Sequence, residues 1–158
     1  MVTFDFRMKK LNHPSSVFES SEKELSSTDK KLLSEAKKSA NSAYAPYSNF
    51  KVGSAVLLEN GKIILGNNQE NAAYPSGLCA ERVALFYTSA QNPNAVIKSI
   101  AITSVPCGAC RQAMAEYESK QKNKIRIIMA GEKGKIFIAE GIDNLLPLSF
   151  TQSVLKKA

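Results

Sequence analysis

Histidine is nearly absent from this 158-residue chain: there is one, His13, set in a polar stretch near the N-terminus. A Ser-His-Asp or Cys-His mechanism would have to be built on it. A lone histidine among serines and charges is ordinarily just surface. Cysteine is scarce as well. The three present are an odd number, unsuited to a disulfide framework. They fit reduced, metal-binding thiols in a reducing compartment. Long apolar runs are missing, so nothing spans a bilayer. The start, Met1-Val2-Thr3-Phe4-Asp5-Phe6-Arg7, lacks the basic opening and apolar centre of a signal peptide. A cytoplasmic protein without a membrane partner is the expectation.

What is present reads as one domain with 44% hydrophobic residues, enough for a core. The net charge of +7 raises nucleic acid as a partner. The lysines gather toward the two ends, as in Lys30-Lys31, Lys37-Lys38 and Lys156-Lys157, and the cysteine-bearing middle is poor in them. Solvated faces and tails are the better reading, and nucleic acid is not expected.

Residues 1–27 read as a serine-punctuated extension, partly ordered, with a short strand conceivable over Val2–Phe6. Residues 28–158 read as the one folded domain. Thr28 serves as an N-cap for a helix striped by Leu32, Leu33, Ala36, Ala40 and Ala43, which stops before Pro46. Phe50–Leu58 and a strand from Ile63 flank the turn Glu59-Asn60-Gly61-Lys62, a hairpin. The following Asn67-Asn68-Gln69-Glu70-Asn71 is unusually polar, and such side chains need partners from the fold or a ligand. A helix from about Leu78 to Ala90 comes next, then a strand over Ile97–Val105. A third helix opens at Pro106-Cys107-Gly108-Ala109-Cys110, and strands over Ile125–Met129 and Lys135–Ala139 complete the pattern. This order predicts an α/β fold, a three-layer α-β-α sandwich around a mixed five-stranded sheet. The strand–helix–strand unit spanning Ile97–Met129 should be a parallel crossover.

The chemistry concentrates in Cys79-Ala80-Glu81-Arg82 and Pro106-Cys107-Gly108-Ala109-Cys110-Arg111-Gln112, which hold every cysteine. Cys107 and Cys110, at a helix start, have the spacing to reach one ion, and free N–H groups there favour thiolates. With Cys79 they make a three-thiolate zinc set whose fourth position is left for water. A thioredoxin-like redox pair would leave Cys79 and Glu81 unexplained. A structural zinc would want a fourth ligand, and inert buried cysteines would not favour a helix-opening pair. Three thiolates on a doubly charged ion leave one surplus negative charge, which Arg82 and Arg111 are placed to offset. With no histidine to hand, Glu81 is the candidate proton shuttle; the plainer alternative is a carboxylate answering the helix dipole.

These motifs match the zinc-deaminase signature in its three-cysteine form. Further stretches are Tyr44-Ala45-Pro46-Tyr47-Ser48-Asn49-Phe50-Lys51-Val52-Gly53, Asn68-Gln69-Glu70-Asn71-Ala72-Ala73-Tyr74-Pro75 and Leu145-Leu146-Pro147-Leu148-Ser149-Phe150. With them the chain resembles the cytidine deaminases, specifically the small homotetrameric zinc-dependent type. The resemblance implies one Zn2+ per chain on Cys79, Cys107 and Cys110, with Glu81 catalytic and Arg82 and Arg111 behind the ligands. It places Asn68 and Glu70 on the ribose hydroxyls, Phe50 on the pyrimidine face, and the Ala80 backbone on the base edge. Tyr74 and Phe150 would reach a neighbouring subunit's site in a homotetramer. For Phe50 and Phe150 the alternative is core packing. The implied reaction is hydrolytic deamination of cytidine and 2′-deoxycytidine in pyrimidine salvage. Alternatives are another cytosine-like nucleoside such as blasticidin S, a nucleic-acid-binding cytosine deaminase, or a non-catalytic zinc module. Two departures from the family pattern stand out: the short run from Ile100–Val105 into Pro106, and the long N-terminal extension.

Overall fold

Residues in the central strands alternate between two cores, and that alternation builds the layers. The computed structural model describes residues 15–155; the expected Val2–Phe6 strand and His13 lie outside them. Strand β1 is Val17–Ser21, followed by helix α1 (Ser27–Ala40), β2 (Gly53–Leu58), β3 (Ile63–Asn67), helix α2 (Ala80–Gln91) and β4 (Ile97–Ile102). Helix α3 (Gly108–Ser119), β5 (Arg126–Ala130) and β6 (Lys135–Glu140) complete the fold, with a short turn at Ile142–Asn144. The sheet runs β1-β6-β5-β4-β2-β3. All neighbours are antiparallel except β4 and β5, the expected parallel pair on either side of α3.

Side chains of period two point to opposite faces of a sheet. Val56, Leu58, Ile100, Ile102, Ile127 and Met129 face α2 and α3. Their neighbours Ala55, Leu57, Ala101 and Ile128 meet Leu32, Leu33 and Ala36 of α1 on the other side. The three layers are therefore as expected.

The sheet has six strands rather than five. The sixth, β1, was not legible because Val17-Phe18-Glu19-Ser20-Ser21 carries no alternation. Its two apolar residues are exposed, and main-chain pairing to β6 holds it. Asn144 also helps, accepting from Ser16 N–H at 2.8 Å through its side chain and from the Ser15 hydroxyl at 2.7 Å through its carbonyl. The cap of α1 is likewise corrected: Ser26, not Thr28, accepts from the Asp29 N–H at 3.1 Å. Both residues carry a capping hydroxyl, and Ser26 adds two residues to the helix. No helix among the described residues is long and apolar enough to cross a membrane.

Two glycines let helices lie flat on the sheet. A Cβ on Gly53 would run into the Ala36 carbonyl of α1, and one on Gly66 would come within 2.5 Å of both Ala80 O and Ala84 N of α2. Because α2 carries Glu81, Gly66 sets the depth of the site. Gly66→Ala is expected to cost about 3 kcal/mol by forcing backbone apart. The measure is a lower urea midpoint at unchanged slope. A loss under about 0.5 kcal/mol would show that α2 is free to back away.

Candidate metal centre

Two helix starts converge on one point. Cys79 is the N-cap residue of α2 and Cys107 that of α3, and neither spends its side chain on capping. Cys110 follows in the first turn of α3, buried. The Cys79 and Cys107 sulfurs are 4.0 Å apart, Cys107 and Cys110 3.5 Å, and all three lie within 4.8 Å of one another. Sulfurs at about 2.3 Å from a tetrahedral zinc stand about 3.8 Å from each other. The trio fits the ion implied by the motif. Among the described residues it is the one cluster of three such ligands.

The electrostatics fit as well. The neighbouring Cys110 thiol, and after it the Arg82 guanidinium against the same sulfur, push the Cys79 thiol down to about 5. The neighbouring Cys79 sulfur and burial push Cys110 upward. One negative charge is thus held easily, and the next is opposed until a cation joins the set. The positive ends of α2 and α3 add to the preference for thiolate here.

Glu81, the second residue of α2, is only 3% exposed. Burial is the main cause that lifts its carboxyl above the usual range, and the charge on Cys79 adds to it. Arg82 donates to Cys79 Sγ at 3.8 Å and to the Gly77 carbonyl at 3.2 Å. Arg111 does otherwise. Its bonds go to the carbonyls of Pro106 and Leu145, each at 3.0 Å.

Beside the sulfurs opens a cleft of about 510 Å³ lined by Tyr47, Ser48, Asn68, Gln69, Glu70, Asn71, Tyr74, Gly77, Leu78, Cys79 and Arg82. The polar stretch that needed partners finds them along one wall. Gln69 exchanges two main-chain bonds with Leu78, at 2.8 and 2.9 Å, just ahead of Cys79. On its other side Tyr44 N–H donates to Asn68 O and Glu70 N–H to Tyr44 O. Glu70 then accepts from Tyr47 N–H at 2.9 Å, Ser48 N–H at 3.3 Å and the Ser48 hydroxyl. Those bonds, the hydroxyl's first, hold its carboxyl below the usual range. Asn68 donates to the Phe50 carbonyl at 2.9 Å and accepts from Val52 N–H at 2.8 Å. Sequence reasoning missed this anchoring of the Tyr47–Val52 loop. The only signal for it was the density of amides and carboxylates facing a loop.

The core alternative for the two phenylalanines does not hold: Phe50 is 61% exposed and Phe150 55%. Neither lines the cleft, and Tyr74 does, edge-on to Tyr47 with ring centres 6.0 Å apart. Ala80, the first residue of α2, is fully buried, with its carbonyl against Gly66 of β3.

Known proteins place this arrangement. Residues 26–124 match the family model described as the cytidine and deoxycytidylate deaminase zinc-binding region. A cytidine deaminase of Halalkalibacterium halodurans is 40% identical over 125 residues, covering 76% of this chain and 92% of that one. One from Sporosarcina psychrophila is 37% identical, covering 81% and 95%. The crystal structure of cytidine deaminase from Burkholderia pseudomallei superposes with a TM-score of 0.68 at 37% identity, over 77% of this chain and 98% of that one. Two cysteine motifs at helix starts, the mixed sheet that aims them and these relatives agree: the chain belongs to the cytidine deaminase family, a family of hydrolases.

Proposed function

We propose that the protein deaminates cytidine and 2′-deoxycytidine hydrolytically, giving uridine or 2′-deoxyuridine and ammonia. The observation that carries the reading is the buried Glu81 carboxyl beside three clustered sulfurs, one of which, Cys79, lines a cleft. Cys79, Cys107 and Cys110 would hold one Zn2+, which when bound polarises a water and makes it a nucleophile near neutral pH.

The chain's own residues account for the rest. Glu81 takes a proton from the attacking water and delivers it to N3 of the ring, then moves the proton of the new C4 hydroxyl to the amino nitrogen, which leaves as ammonia while the C4 carbonyl forms. A carboxyl raised by burial suits a group that must both accept and return a proton. Glu70, held ionised by Ser48 and the Tyr47–Ser48 backbone, accepts from ribose hydroxyls. Asn68 keeps one amide hydrogen free for the same diol while it fixes the loop that carries Phe50. Phe50 supplies a face for the base. The Ala80 main chain reads the base edge. Arg82 offsets the surplus charge on Cys79.

The outward display of Tyr74 and Phe150 supports contact with another subunit, as in a homotetramer with shared sites. Uridine and 2′-deoxyuridine as products would suit pyrimidine salvage, and the free thiols would suit a reducing cytoplasm.

The test is zinc content and ammonia release on one purified preparation. About one zinc per chain, with uridine formed from cytidine, is expected. Bound zinc with no ammonia from either nucleoside would refute the substrate, and absence of both in reduced, zinc-supplied protein would refute the site.

A further inference from the structure

The three sulfurs are not held alike. Cys110 is fully buried, and Cys79 is partly buried with Arg82 against its sulfur. Cys107 is exposed, so packing does not orient it. It caps α3 without a side-chain bond, and its position depends on the peptide that precedes it.

That peptide is gripped from outside. The Pro106 carbonyl and the Cys107 N–H belong to one rigid plane. Arg111 Nε donates to the Pro106 carbonyl at 3.0 Å, and Nη1 of the same guanidinium donates to the Leu145 carbonyl at 3.0 Å. Leu145 is no loose end. Its N–H bonds the Ile142 carbonyl at 2.9 Å, and the Ile142 N–H is taken by the buried Glu118 carboxylate at 3.2 Å. Arg111 therefore braces the Pro106–Cys107 turn against a second fixed point 34 residues further along.

We propose that Arg111 is a positioning residue whose guanidinium, by clamping the Pro106 and Leu145 carbonyls together, fixes the turn that presents Cys107 to the metal. The inference rests on the zinc reading of the site. It differs from charge compensation, because Arg111 directs its hydrogen bonds to carbonyls and leaves the sulfurs to Arg82. A planar fork can span two acceptors at once, and a lysine ammonium at the end of a flexible stem does not reproduce it.

Charge and geometry are separable by experiment. Zinc-loaded wild type, Arg111→Lys, Arg111→Gln and Gln112→Ala are mixed with a chromophoric chelator at neutral pH, and the rate of zinc transfer is followed alongside each thermal midpoint. Gln112→Ala removes the bond to the Phe150 carbonyl, loosening the same C-terminal segment without touching Pro106. Both Arg111 variants are expected to lose zinc about tenfold faster or more, with no rescue by lysine, and Gln112→Ala to match wild type. Rescue by lysine would replace positioning with charge and overturn the proposal. So would zinc loss in Gln112→Ala equal to that in the Arg111 variants, or rates that merely follow the thermal midpoints. An Arg111→Lys protein that does not fold would put the residue's work in the fold as a whole, with the same consequence. Wild type that binds no zinc is a different failure, because it removes the site reading underneath.

Discussion

Glu81→Gln is expected to lower kcat for cytidine by about 10⁴-fold while leaving zinc at one per chain. The amide has the size of the carboxyl. It cannot accept a proton from water at any accessible pH, and nothing else nearby can replace it. The chain's one histidine, His13, lies in the N-terminal stretch far from these motifs in sequence. With zinc bound as proposed, the Cys79 thiolate would be committed to the metal, and Arg82, which donates to that sulfur, is a donor only. KM should change far less than kcat, because the substitution leaves the proposed ribose contacts through Glu70 in place. Removing the group that drives proton transfer acts on the transition state rather than on binding. Rapid loss of zinc from the variant, or activity within about tenfold of wild type, would move the proton shuttle elsewhere.

How far the chain could be read without its structure depends on what kind of physics set each feature. Strands β2 to β6 and helices α1 to α3 were legible because burial on two faces imposes periodicity. Ala55 and Val56 must go opposite ways, and so must Ala101 and Ile102. The sulfur cluster was legible because its three members are a rare residue type in a fixed spacing at helix starts. Strand β1 was illegible for the opposite reason. An edge strand that buries little is specified by main-chain pairing, which leaves almost no trace in side-chain type. The work of Arg111 was hidden in the same way. Its proximity to Cys110 in the sequence suggested a bond to sulfur, but side-chain direction on a helix sends it to two carbonyls instead. Asn68 shows a mixed case. Its polarity announced a need for partners, yet which atoms would be consumed by the Phe50–Val52 backbone depended on a loop with no pattern of its own.

Cys110→Ala and Cys107→Ala should lose zinc together and part company in stability. Each removes one of three sulfurs from a set that cannot be refilled from nearby: the described residues offer no fourth member of the cluster. If an outer partner of a metal ligand is worth about 10–100-fold in affinity, a ligand itself should be worth about 10³-fold or more. Turnover falls to background in both. The metal-free proteins separate ligand from core. Cys110 is fully buried among Met114, Ala115 and the strands beneath α3, so deleting its sulfur leaves a small void costing about 1 kcal/mol. Cys107 is exposed and packs against little, so its loss should leave the metal-free urea midpoint nearly unmoved. With zinc added, only wild type should rise in stability, because a ligand that binds the folded state alone shifts unfolding by mass action. Equal zinc loss with unequal structural cost is what a shared ion requires of one buried and one exposed thiolate. If only Cys110→Ala lost zinc, and did so in proportion to its loss of stability, the effect would belong to the core and Cys107 would leave the ligand set.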